Sequence, residues 1–135
     1  PGGGPPGFAF GTSIVITSIQ NQYPGLSQLE TVTAHVTDTG GIPINVGYVT
    51  FQVNGETLIA PVHNGFVTVT FATPVLDFAI LFDLFFAHTL TAGYTDQGVE
   101  FGPSHTAATV PPILIDFLFH LLAAEVARLR QFQIA

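Results

Sequence analysis

The sequence has no cysteine, no methionine and no tryptophan. Without cysteine there is no disulfide staple and no thiol chemistry, and the redox compartment stays open. Without methionine, even at position 1, the chain is expected to begin after processing or to be a piece of a longer protein. Charge is scarcer still than the composition of a soluble domain suggests. Only 8% of the 135 residues are charged, against about 25% in ordinary soluble domains. Lysine is absent, and the two arginines are Arg128 and Arg130. Glu30, Asp38, Glu56, Asp77, Asp83, Asp96 and Glu100 stand without a Lys or Arg in the stretch before position 111, whereas Asp116 and Glu125 balance the arginines. The formal charge of −7 therefore sits on the first part of the chain. Such a surface repels phosphate backbones and anionic lipid, so no nucleic-acid partner is expected.

Long apolar runs are also missing. Val75 to Leu90 is interrupted by Asp77, Asp83 and His88, and Ile113 to Ala124 is short and carries Asp116 and His120. A spanning helix needs about 20 apolar residues in a row, so no membrane span is expected. The mean hydropathy is nevertheless +0.52. With so few charges an isolated copy is poorly solvated. Thr, Gln, Asn and Ser supply the polarity instead. That suits either a secreted domain with a Thr-rich surface or a protein whose surface is covered by neighbours.

What is present is β-pattern. A length of 135 residues makes room for one domain with a real core. Residues 1–11 open with PGGGPPG, a Pro/Gly-rich flexible arm or linker, with Phe8 and Phe10 placed to anchor its end. Thr12 to Ile19 is β-branched and apolar. Glu30 to Thr39 alternates, with Val32, Ala34 and Val36 on one face and Thr31, Thr33, His35 and Thr37 on the other. Val46–Val53, Glu56–Pro61, Phe66–Phe71, Ala87–Tyr94 and Thr106–Val110 complete seven strands, separated by turn residues roughly every ten positions. Asn54-Gly55 and Asn64-Gly65 are hairpin turns whose central residues take positive φ. The expected core is Val32, Ala34, Val36, Val49, Phe51, Val67, Val69, Leu90 and Ala92.

Two segments break the strand rhythm. Pro74 to Phe86 is apolar at nearly every position and reads as a short helical insertion, with Val75, Phe78, Leu81, Phe82 and Phe85 as its large side chains. Pro111-Pro112 then closes the last strand, and residues 112–135 read as a helix. Ile115, Leu118, Leu122, Val126, Leu129 and Phe132 recur at spacings of three and four and form one stripe. Asp116, His120, Ala123, Ala127 and Arg130 lie opposite. Asp116 near the start, and Arg128 and Arg130 near the end, suit the helix dipole. The early part is apolar almost all round, so it is expected to be buried against the insertion, another subunit, or both.

Chemistry is hard to find. His35, His63, His88, His105 and His120 form no metal-binding spacing. His35 falls on a polar strand face, and His88 reads as a hydrogen-bonded edge residue. Ser104-His105 lacks a nucleophile elbow. Asp96 and Glu100 flank a late turn in the manner of a weak calcium site, without the Asp-x-Asp-x-Asp spacing of a dedicated loop. No cofactor and no catalytic residue are expected.

The run from Thr31 to Tyr94 resembles the bacterial Ig-like repeat domains of large secreted and surface proteins. The resemblance is carried by Val32–Thr39 with Gly40-Gly41 and Pro43, then Gly47–Phe51 with Gly55. Asn64-Gly65 with Phe66–Phe71, and His88-Thr89-Leu90-Thr91-Ala92-Gly93-Tyr94, follow in the family's order. It implies an antiparallel immunoglobulin-like sandwich over 12–111, an extracellular or cell-surface location and a non-enzymatic role. The apolar insertion 74–86 and the C-terminal helix depart from the family, and both suggest an assembly interface. The expected function is thus a structural module of a filament, surface layer or stalk. Its partners are copies of itself or neighbouring Ig-like domains. The alternative is an adhesion or carbohydrate-binding module of a larger secreted protein.

Overall fold

A computed structural model describes residues 10–24, 27–53, 55–74, 85–98 and 100–134. The chain forms β1 (Thr12–Gln22), β2 (Ser27–Asp38), β3 (Tyr48–Val53), β4 (Glu56–Pro61), β5 (Phe66–Pro74), β6 (His88–Thr95), β7 (Ser104–Val110) and one C-terminal helix, α1 (Leu114–Ile134). The fold is mainly β. One sheet has the order β1-β2-β5 and the other β4-β3-β6-β7, and all their pairings are antiparallel.

The two sheets share one core, which gives a sandwich-like arrangement. Val32, Ala34, Val36, Val67 and Val69 come from the first sheet, and Val49, Phe51, Leu90 and Ala92 from the second; all nine are buried. Period-two alternation puts them there, since successive side chains of a strand point to opposite faces. On the outer face of the first sheet, threonines pair across strands. Thr31 and Thr70 hydroxyls lie 3.1 Å apart and Thr33 and Thr68 hydroxyls 3.0 Å apart. Such pairs satisfy a polar surface without charge.

β1 runs past the expected end at Ile19 because a bulge absorbs a parity change. Its register against β2 shifts between Ile16 and Ser18, and the Thr17 hydroxyl donates to Thr33 O at 3.2 Å. The extra residue lets Ile14, Ile16 and Ile19 all reach the core side. At the tight turn, Asn64 has φ 51° and Gly65 φ 84°, and His63 and Phe66 exchange both backbone hydrogen bonds. This is the left-handed pair expected of Asn-Gly. Gly55 also has positive φ, at 80°; Asn54 lies outside the described residues.

Phe10, the first described residue, is tied to the segment before β7. Its amide donates to Glu100 O, its carbonyl accepts from Gly102 N, and its ring lies 5.7 Å from that of Phe101. Phe8 lies outside the described residues.

Candidate functional site

The helix α1 is the element that a sandwich core does not account for. Its start is seated on the sheets. Ile113 is buried, and Leu114 and Phe117 pack against the core. The ring of Tyr23, just past β1, meets Phe117 edge-on at 5.1 Å and His120 at 4.9 Å. A cleft of about 610 Å³ lies beside this seat, bordered by Asn21, Val110, Pro112, Asp116 and His120. His120 Nδ1 lies 2.8 Å from the Asp116 carbonyl oxygen, one helical turn back.

Beyond the seat the helix leaves the sheets. Ile115 is 65% exposed, Leu122 58% and Phe132 70%. Leu118, Phe119, Leu121, Val126 and Leu129 are exposed as well. The stripe expected from periodicity is therefore real as a face, but it is not the face that meets this chain's own sheets. Among the described residues, the early part of the helix meets the core on the side of Leu114 and Phe117; most of the insertion expected to cover the rest lies outside the described residues. His120, placed on the polar side by sequence, belongs to the seat. The remaining stripe residues expected in the insertion divide: Phe85 is exposed, and Val75, Phe78, Leu81 and Phe82 lie outside the described residues.

The charges on α1 also differ from expectation. Asp116 is in the first turn, but no basic residue is in the last, because the helix continues to Ile134. Arg128 and Arg130 are thus too far from the terminus for a strong dipole effect, which fades within the final turn. Arg128 instead donates from Nε to Glu125 at 3.2 Å. That hydrogen bond holds its pKa above the ordinary arginine value. Arg130 stands on the other side of Arg128's position on the helix. A shallow groove of about 520 Å³ runs along this part of α1, lined by Phe119, Leu122, Ala123, Val126, Ala127 and Arg130.

The other candidates resolve into structural roles. Asp96 accepts backbone hydrogen bonds from Gly98 at 2.9 Å and from Glu100 and Phe101 at 3.1 Å each, so its oxygens hold the loop. His35 stacks on Phe66, with centroids 4.3 Å apart. Ser104 Oγ accepts from the Thr12 hydroxyl at 2.9 Å. His88 is not an edge residue: β6 lies between β3 and β7, and the side chain is buried. With its Nε2–H tautomer His88 donates to Glu30 Oε1 across the two sheets at 3.3 Å. Sequence reasoning missed this pair, although position 30 shares its parity with Val32 and position 88 with Leu90. Among the described residues, no group of three or more metal-ligating side chains comes together, and no helix is long and apolar enough to cross a membrane.

The chain matches no protein-family model and no curated protein.

Proposed function

We propose that this protein is a non-enzymatic structural module that self-associates through α1, as a subunit of a filament, surface layer or stalk. The observation that carries this reading is the free apolar stripe. Ile115, Leu118, Leu122, Val126, Leu129 and Phe132 stand 40–70% exposed on a helix whose first turns are seated through Leu114 and Phe117. Burying one such side chain contributes about 1.5–3 kcal/mol, and monomers rarely expose apolar patches beyond a few hundred Å².

The strand order supports the immunoglobulin-like part of the reading. In the constant-type arrangement, strands 1, 2, 5 and 4 form one sheet and 3, 6 and 7 the other. Here the fourth strand has moved across to pair with the third. The extracellular or cell-surface location rests on the resemblance to bacterial Ig-like repeats and on the sparsely charged, Thr-rich surface.

Sedimentation of the full chain over a range of concentrations tests the proposal. Association that deepens with concentration, persists in high salt and is lost in Leu122→Glu is expected. Salt insensitivity follows from the lack of charges to screen. A chain that stays monomeric at high concentration overturns the reading.

A further inference from the structure

The turn between β4 and β5 carries a chemical liability that its sequence imposes and its fold suppresses. In an Asn-Gly pair the backbone nitrogen of the glycine can attack the side-chain amide carbon of the asparagine, because glycine has no Cβ to hinder the approach. The nitrogen gives up its proton, a cyclic imide closes and ammonia leaves. Water then opens the imide to aspartate or to isoaspartate. At position 65 the turn demands glycine. Its φ is 84°, and a Cβ would stand 2.8 Å from Pro43 Cβ and 3.1 Å from His35 Cδ2 and Nε2. The residue that makes Asn64 reactive is therefore the one that the backbone requires.

We propose that Asn64 is a modification site gated by folding, shielded from deamidation while the turn is closed and reactive once it opens. The attacking nitrogen is engaged. Gly65 N–H donates to Ile44 O at 2.7 Å, and Gly65 is buried. To react, that N–H has to leave its acceptor and lose its proton. The Gly65 carbonyl accepts from Val36 N at 2.7 Å, so the glycine is tied through both of its backbone groups. Asn64 is held as well. Its amide donates to Asn45 Oδ1 at 2.8 Å, and His63 and Phe66 exchange backbone hydrogen bonds of 3.0 and 2.9 Å around the pair. Reaction therefore proceeds from molecules in which this set has opened, and its rate follows their population.

The change is not undone by refolding. Aspartate at position 64 adds a negative charge to a chain whose formal charge is already −7. Isoaspartate puts an additional carbon into the backbone, so the tight turn no longer brings His63 and Phe66 into register. β4 belongs to one sheet and β5 to the other, so this turn lies on the crossing between the two sheets. Asn64 thus keeps a chemical record of each time that crossing has opened for long enough to react.

The full chain is held at mildly alkaline pH, folded and in urea, and conversion of each asparagine is followed by peptide mass, with isoaspartate distinguished from aspartate. In urea, Asn64 and the asparagine of the other Asn-Gly pair, Asn54, are expected to convert at similar rates. In the folded chain, conversion at Asn64 is expected to slow by a factor of about ten or more, which corresponds to an opening free energy of at least about 1.4 kcal/mol. Conversion at Asn64 as fast in the folded chain as in urea overturns the proposal, and so does an Asn64 that is inert in urea. Asn45→Ala removes the acceptor of the Asn64 amide. It is expected to raise the folded-state rate at Asn64 several-fold and to leave the rate in urea unchanged. An unchanged folded-state rate in that variant overturns the assignment of the shield to this turn.

Discussion

The ring of Tyr94 occupies the space that a side chain on Gly47 would need. A Cβ on Gly47 would stand 2.7 Å from Tyr94 Cε1 and 2.8 Å from its hydroxyl, as well as 2.7 Å from Thr95 O. The hydroxyl passes over that glycine to donate to Val46 O at 3.0 Å. Gly47 also has φ 88°, a backbone region where L side chains are strained. The glycine just before β3 and the penultimate residue of β6 are thus one packing unit.

Replacement of Gly47 by Ala is expected to cost about 2–4 kcal/mol, combining a left-handed backbone with overpacking against a buried ring. Gly41→Ala is the control. Gly41 has a similar φ of 83° but nothing within 4 Å of its would-be Cβ, so only the backbone cost of about 1 kcal/mol remains. Urea denaturation of both variants measures the difference; equal losses would remove the Tyr94 contact from the account.

Tyr94 also sets an alkaline limit. Burial, then the nearby carboxylates of Asp96 and Glu100, push its phenol from 10.0 to about 12. The raised value means that the folded state keeps the proton after the unfolded chain has lost it. The stabilisation is complete below pH 10.0 and disappears as pH rises through about 12. Stability measured against pH should fall across that window. In Tyr94→Phe the fall should be shallower, on a neutral-pH stability lower by about 1 kcal/mol from the lost hydrogen bond. An unchanged slope would show that another group governs the transition.

Asp96 links the same ring to the loop that holds Phe10. Asp96→Ala removes the acceptor of three backbone amides and should destabilise the chain by about 1–3 kcal/mol. It should also bring the Tyr94 phenol back toward its ordinary value, because one of the carboxylates that raises it is gone. Ultraviolet titration of the tyrosines reads the second effect independently of the first.

Glu30 and His88 are coupled across the sandwich, 58 positions apart in sequence. Removing either partner leaves this buried hydrogen bond unmade, at about 1–3 kcal/mol. Glu30→Ala together with His88→Ala should therefore cost less than the sum of the single changes, by at least about 1 kcal/mol. Strict additivity in a double-mutant cycle would mean that the contact carries no energy.

Residue order alone determined the faces of this protein. A period of two marked Val32, Ala34 and Val36 as inward and their threonine neighbours as outward, and Asn64-Gly65 marked a left-handed turn through backbone sterics. A spacing of three and four marked Ile115 to Phe132 as a stripe. Each of these is a local property, set within a turn or two of chain. The same parity placed Glu30 and His88 inward, but nothing local states that a carboxylate has an imidazole waiting on the other sheet. The bulge at Thr17, the transfer of β4 to the second sheet and the seating of α1 through Leu114 and Phe117 were decided only by the tertiary structure. Burial has no direction of its own: periodicity says that a face is apolar, and the arrangement of distant strands decides which faces are covered within the chain and which stay exposed.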